Sequence, residues 1–291
     1  LPSPCWYRNF EYVVEAERGY PAQEDLFLPG VFEIPLRPRA SVIVAAALEE
    51  SRGSIEKEWG RELEQRRKVT RKIAAQLPPK CAKEIQQVRH QLLRSAEDFL
   101  VVTPEDRPTV IAGYHWFGDW GRDTLIALPG LTFCCGRPAT GLAILESFAQ
   151  QEHNGLLPNM FGPGGKNNAY NSVDAALWFF WAVQQMVRHT GDAKPTRAVL
   201  WPTMKTILRA FMEGTDYEIY MNPSGLLHAG NRLMSLTWMD AVVGGVPVTS
   251  RHGYPVEINA LWYNAMAFAD ELCKRLGESP NPFEAYLPII R

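Results

Sequence analysis

Ten consecutive residues, Tyr114-His115-Trp116-Phe117-Gly118-Asp119-Trp120-Gly121-Arg122-Asp123, combine four aromatic rings, two carboxylates, an imidazole and a guanidinium with two glycines that let the backbone turn without a Cβ clash. Tryptophan faces stack on the flat apolar side of a sugar ring or a base, while Asp and Arg side chains hydrogen-bond hydroxyls in pairs. Trp120, Arg122 and Asp123 adjoin the helix-like run Thr124 to Leu128, so they read as a loop-to-helix mouth for a polar ligand, with His115 helping to shape it. Tyr114 and Phe117 read as part of an aromatic core strand.

Five carboxylates sit beside aromatics or glycines in loop contexts: Asp119, Asp123, Asp174, Asp240 and Glu257. A glycosidic bond is cleaved by two carboxyl groups, one giving a proton to the leaving oxygen and the other acting as base or nucleophile. Carboxylates among tryptophans therefore suggest a sugar site. The acid must hold a proton near neutral pH, which for an Asp requires burial or a second carboxylate to lift its pKa well above about 3.9. Asp240 is the best placed, because Trp238 and Met239 before it and Ala241, Val242 and Val243 after it predict an apolar wall. Asp174 and Glu257 carry two compatible readings: ligand contact, and an acidic group in a first helical turn, favoured there by the macrodipole.

Other chemistries lack their residues. There is no G-x-S-x-G, no P-loop and no G-x-G-x-x-G at a strand end, and the six histidines show no H-x-x-x-H or H-E-x-x-H spacing, so no metal site is expected. A net charge of -2 provides no field to gather nucleic acid or an anionic membrane. Nine tryptophans and ten tyrosines in a chain only 21% charged fit a neutral, hydroxyl-rich ligand. No apolar run approaches the roughly 20 residues that span a bilayer. Cysteines at 5, 81, 134, 135 and 273 form no C-x-x-C, which predicts a reducing, cytoplasmic compartment with Cys134 and Cys135 as small core residues.

The elements that must hold these groups change character along the chain. Residues 1–50 read as β structure, with strands at Tyr12–Glu15, Val31–Ile34 and Ser41–Leu48 between Pro and Gly breakers, as the closing edge of a sheet. Ser54 to about Ala75 reads as a charged helix with Ile55, Trp59 and Leu63 on one stripe, stopped by Pro78 and Pro79. Ala82 to Val101 reads as another, with Ile85, Val88, Leu92 and Leu93 spaced for burial. A domain boundary is expected between 50 and 80. Beyond it the pattern is helix, loop, helix with no second set of strands, helices being expected over 123–134, 137–152, 172–190, 195–213 and 257–276. Gly155-Leu156-Leu157 recurs as Gly225-Leu226-Leu227, and Ala176-Leu177-Trp178-Phe179 as Ala260-Leu261-Trp262-Tyr263, an echo that stacked helical hairpins would produce.

Five blocks follow one another: Tyr114 to Asp123 with Leu125 to Leu128; Asn154-Gly155-Leu156-Leu157-Pro158-Asn159; Tyr170-Asn171-Ser172-Val173-Asp174-Ala175-Ala176-Leu177-Trp178; Leu236-Thr237-Trp238-Met239-Asp240; and Pro255-Val256-Glu257-Ile258-Asn259-Ala260-Leu261-Trp262-Tyr263-Asn264. In that order they resemble the glucosidase domain of glycogen debranching enzymes. The opening segment, with Arg18-Gly19, Glu24-Asp25-Leu26 and Pro29-Gly30, resembles the end of the β-sandwich domain that precedes the catalytic domain in bacterial and archaeal members.

This resemblance implies a mainly α fold, an (α/α)6 toroid related to glucoamylase, here incomplete and preceded by the last strands of a β-sandwich. Residues 1–50 would be the end of the sandwich, 51–80 a linker helix and 81–291 the N-terminal part of the toroid. It further implies an inverting amylo-α-1,6-glucosidase that removes the single α-1,6-linked glucose left at a trimmed glycogen branch, with a branched α-glucan as partner and no cofactor. Asp240 matches the general acid. Trp120, Arg122 and Asp123 match a Trp-x-Arg-Asp element that grips the non-reducing glucose, and Asn171, Asp174, Trp238 and Glu257 match positions expected at the pocket wall. The alternatives are another glucoamylase-like exo-glucosidase acting on α-1,4 links or small glucosides, and a non-catalytic glycan-binding piece. The family's general base is a Glu far downstream of the Thr-Trp-Met-Asp block and is expected beyond Arg291. Twelve helices with their loops take on the order of 350 residues, more than positions 81–291 supply. A half-toroid with an uncovered apolar face predicts self-association or a partner segment.

Overall fold

The computed structural model describes residues 3–46, 53–76, 83–115, 117–162, 166–279 and 281–290. The chain forms two compact units, Leu1–Gln65 and Arg66–Arg291.

In the first unit, strand β1 (Cys5–Glu11) pairs antiparallel with β2 (Gln23–Leu28), Cys5 lying opposite Leu28 and Glu11 opposite Gln23. The rings of Trp6 and Phe27 stand 5.1 Å apart across the ladder, and the Tyr12 hydroxyl donates to Glu24 Oε1 at 2.5 Å. Between the strands runs the short helix α1 (Val13–Glu17), so the strand expected over Tyr12–Glu15 is replaced by a turn of helix that starts with Ala16 N–H donating to Tyr12 O at 3.0 Å. The strand expected at Val31–Ile34 is irregular, as are residues 41–46 of the third, whose last positions lie outside the described residues. A strand persists only through a hydrogen-bonded partner, which β-branched content alone cannot supply. All seven residues of β1 are exposed, so no alternation of burial marks it in the sequence. Helix α2 (Ile55–Gln76) begins here, with Ile55 and Trp59 of the expected stripe exposed, and continues into the second unit. Its expected stop at Pro78 and Pro79 lies outside the described residues.

The second unit opens with α3 (Lys83–Phe99), which buries Leu93 and Ala96 beside Cys135. Ile85, Val88 and Leu92, expected to be buried, are exposed on the same helix. Strands β3 (Leu100–Val102), β4 (Pro108–Gly113) and β5 (Phe117–Asp119) then form an antiparallel sheet with β4 central, Leu100 facing Val110 and Ile111 facing Asp119. This sheet corrects the expectation of helices alone beyond residue 80. Its outer strands are three residues long, too short to display a period of two. Tyr114 and Phe117 are exposed, not part of a core strand, and of the adjacent cysteines only Cys135 is buried.

Helices dominate from there. Helix α4 (Gly121–Leu128) passes through a π-type turn at Pro129–Phe133; α5 (Pro138–Ala149) starts on a proline, whose missing N–H costs nothing at a first helical position. Helix α6 (Asp174–Thr190) ends at Gly191 in the left-handed region, and α7 (Leu200–Glu213) follows. Two minimal hairpins, β6 (Tyr220–Met221) with β7 (Leu227–His228) and β8 (Val242–Val243) with β9 (Val246–Pro247), precede α8 (Val256–Leu276) and the short α9 (Leu287–Ile290). The five expected helices are thus present within a few residues of their expected bounds. Helix α6 carries buried side chains around almost its whole circumference, among them Phe179, Phe180, Val183 and Met186, and packs against α4, α5 and α8. Burial of each such side chain is worth about 1.5–3 kcal/mol. The sequence echo does not correspond to equal packing: Leu156 is buried and Leu226 exposed, while Trp178 is half-buried and Trp262 fully buried.

Candidate active site

The loop that precedes α4 is held by backbone. Gly121 N–H donates to Asn159 O at 2.8 Å, and a Cβ on Gly121 would stand 2.0 Å from Pro158 O, so only glycine allows the two chains to meet. The Asn154–Asn159 segment that receives this contact is itself fixed, with Leu156 and Leu157 fully buried and Asn159 N–H donating to Ala169 O at 2.7 Å. At the mouth of α6, Ser172 Oγ accepts from Ala175 N–H at 3.1 Å and donates to Asp174 Oδ1 at 2.5 Å. Asp174 is thereby locked in the first turn.

These two fixed ends meet at Arg122. Its Nε and Nη2 donate to Asp174 Oδ2 and Oδ1 at 2.7 and 3.1 Å, a two-bond fork, and its Nη1 donates to Asp240 Oδ2 at 3.2 Å. The Arg122 side chain is 12% exposed, Asp174 3% and Asp240 38%, so the bridge runs from the interior to the surface. Burial alone would pull the guanidinium's pKa down, but the bonds and charges of Asp174 and Asp240 outweigh it and hold the pKa above its ordinary value. Arg122 is thus a permanent cation that orients one buried and one accessible carboxylate. Asp123, next along α4, is exposed and has no hydrogen-bond partner among the described residues, which leaves its carboxylate open to hydroxyls.

A second arginine, Arg251, pairs through Nη2 with Glu257 Oε2 in the first turn of α8, and its Nη1 lies 3.9 Å from the sulfur of Met239, the neighbour of Asp240. Two arginines, each paired to a carboxylate in the first turn of a helix, therefore touch the dipeptide Met239-Asp240. Sequence reasoning missed Arg251: it stands in an irregular loop, and only its position six residues ahead of Glu257 hints at the contact.

The structure brings together Arg122, Asp174 and Asp240 as expected, and sets others elsewhere. Asp119 pairs with Arg107, Oδ2 to Nη2 at 2.5 Å, and the Arg107 guanidinium lies 4.0 Å over the Phe161 ring. Burial pushes the Asp119 carboxyl up, against the opposing pull of the Arg107 charge. Asp119 is thus a mostly buried structural partner, outside the Arg122 bridge. His115 is exposed at the β4–β5 turn, next to Trp116, which lies outside the described residues. Trp120 is half-buried, Asn171 is exposed ahead of the Asp174 cap, and Trp238 is 55% exposed, its ring available for stacking. The apolar wall expected around Asp240 is absent among its chain neighbours: Val242 and Val243 point outward on a hairpin that turns at Gly244 and Gly245, both with positive φ. In an irregular loop, neighbours in sequence need not be neighbours in packing.

Among the described residues no group of three or more His, Cys, Asp and Glu could hold a metal ion, and no helix is long and apolar enough to cross a membrane.

Residues 94–291 match the family model described as amylo-alpha-1,6-glucosidase, and residues 1–43 match one described as glycogen debranching enzyme N terminal. The chain is 27% identical over 243 residues to the glycogen debranching enzyme of Saccharomyces cerevisiae (strain ATCC 204508 / S288c). That alignment covers 62% of this chain and 16% of the yeast protein, so the chain spans a small part of that relative's length.

Proposed function

This chain belongs to the amylo-alpha-1,6-glucosidase family, and from that premise we propose that its second unit is the part of an (α/α)6 glucosidase toroid that binds a branched α-glucan and cleaves the α-1,6-linked glucose at a trimmed branch. The observation that carries this reading is the Arg122 bridge, which ties an accessible carboxylate, Asp240, to a buried one, Asp174. Residues 1–50 are read as the end of a preceding β-sandwich and 51–80 as a linker helix, in a cytoplasmic enzyme of glycogen breakdown.

In this reading Asp240 is the general acid. Its Oδ2 accepts from Arg122, which leaves Oδ1 to deliver a proton to the glycosidic oxygen as the C–O bond breaks. A water molecule attacks the anomeric carbon from the opposite face, giving inversion, and a second carboxylate takes its proton. Asp123 and the free edges of Arg122 grip ring hydroxyls, with Trp120 and Trp238 as stacking faces. Asp174 acts through Arg122: its oxygens are engaged by Arg122 and Ser172 and it is almost fully buried.

The test is glucose release from a phosphorylase-trimmed branched glucan by the chain and its Asp240→Asn variant. Release is expected to fall by about 10²–10⁴-fold, the usual contribution of a positioned acid, while glucan binding persists. An unchanged rate in the variant would sink the assignment of Asp240, and no release by either form with glucan binding intact would mean that the second carboxylate is not among these residues.

A further inference from the structure

The Arg251–Glu257 pair is not arranged as an ion pair optimised for its own strength. A guanidinium and a carboxylate bind best as a two-bond fork, as Arg122 and Asp174 do. Here Nη2 alone meets Oε2, while Arg251 Nε and Glu257 Oε1 are both buried and both without a hydrogen-bond partner among the described residues. Buried polar groups left unpaired are costly, so some other contact fixes the orientation of the guanidinium. The backbone on either side of Arg251 is anchored: Ala229 and Gly253 exchange two backbone hydrogen bonds at 2.7 and 3.0 Å, and Ser250 Oγ donates to Arg232 O at 3.3 Å. From that fixed base the other arm, Nη1, reaches the Met239 sulfur, a weak acceptor that neighbours Asp240. Arg122 holds the carboxylate of the next residue, Asp240.

We infer that Arg251 is a positioning residue for Asp240: with Glu257 it forms a second clamp that, together with Arg122, ties the Met239-Asp240 dipeptide to the first turns of α6 and α8. The inference rests on the reading of Asp240 as the general acid. A loop carboxyl held on one side only can swing about its chain. Held on both sides, it presents one oxygen at the leaving group, and an ångström of misplacement is enough to cost a large part of the rate. Lysine cannot reproduce the clamp, because a point charge lacks the planar, two-armed geometry.

The readout that separates this role from general support of the fold is the dependence on the leaving group. A sugar alcohol departs only as the acid protonates it, whereas fluoride leaves as an anion with little help. Rates would be measured on methyl α-isomaltoside and on α-glucosyl fluoride for the full chain and for Arg251→Met, Arg251→Lys and Asp240→Asn. In Arg251→Met, kcat on the α-1,6-glucoside is expected to fall about ten- to a hundredfold with KM nearly unchanged, and the fluoride rate to fall by less than about threefold. Arg251→Lys should lie between Arg251→Met and the parent. Because Arg251→Met strands the Glu257 charge, the double variant Arg251→Met/Glu257→Gln, which removes both charges, is measured as well and should show the same loss of selectivity. Equal losses on the two substrates, with Asp240→Asn still selective for the glucoside, would overturn the clamp alone. An Asp240→Asn variant that loses rate equally on the two substrates would overturn the acid assignment and the clamp with it.

Discussion

Arg107 with Asp119, and Arg122 with Asp174 and Asp240, use the same chemistry to different ends. The first pair is closed: Phe161 covers the guanidinium, and both partners are mostly buried. The second is open at one end, where Asp240 keeps more than a third of its surface. Each first carboxylate supports its arginine; only the second arrangement adds another that a ligand can reach. An arginine and aspartate in the interior stabilise or cost stability depending on their pairing, and an arm left at the surface is what a ligand could reach.

Gly121 lies between the two regions, and a change there should disturb both. Gly121→Ala puts a methyl group into Pro158 O, backbone against backbone, so unfolding free energy should drop by more than about 4 kcal/mol, beyond the usual range for one substitution. Chemical denaturation would detect it, and a wild-type midpoint would mean that the α4 contact is looser than described. Asp119→Asn should act on the fold alone. It removes the charge opposite Arg107 but also a carboxylate whose charged form burial disfavours, so unfolding free energy should change by no more than about 1–2 kcal/mol, and kcat/KM per folded molecule should be unaltered. Arg122→Lys should do the reverse, keeping most of the stability but lowering kcat/KM by roughly a hundredfold, because the fork to Asp174 and the arm to Asp240 cannot both be made by an ammonium. Asp123→Asn, on an exposed and unpartnered carboxylate, should weaken glucan binding by about tenfold in a calorimetric titration and leave the melting temperature in place.

The smallest effect is one of pH. The Asp119 carboxyl is raised by burial, so the folded chain holds that proton more tightly than the unfolded chain does. Its contribution to stability is present below the ordinary carboxylate range and is lost as pH rises through the raised value. Urea midpoints of the parent and Asp119→Asn should therefore shift in the parent's favour as pH falls from about 7 towards 4. A gap that narrows over that interval would show that Arg107, and not burial, governs the group.

The helices were legible because they are long and periodic: α5, α6, α7 and α8 lie close to the bounds expected from apolar spacing. Asp174 and Asp240 were picked out as loop carboxylates and Arg122 by its place in the aromatic stretch, and the family resemblance put them in one site; that one arginine joins the two carboxylates was not legible. What stayed hidden depends on contacts across the chain. Nothing in Arg107-Pro108 announces that it will reach Asp119, and Arg251 lies in a loop without period. The strands of the first unit shifted because pairing, not composition, decides where a ladder forms. The exposed valines beyond Asp240 show the same limit from the other side, since an apolar stretch in sequence became the outside of a hairpin.

The distances along the chain that Arg122 spans have a consequence for timing. Its bonds to Asp174 and Asp240 close segments of 52 and 118 residues, whereas Arg107 and Asp119 meet across a short stretch of the β4–β5 sheet. Closing longer segments costs more chain entropy and is delayed until most of the intervening structure is in place. We expect the buried pair to be in place while the chain is still acquiring its later helices, and the ligand grip to mature last. A partly folded molecule would then carry the Arg107 pair before the Arg122 bridge, and with it the accessible carboxylate, is in place.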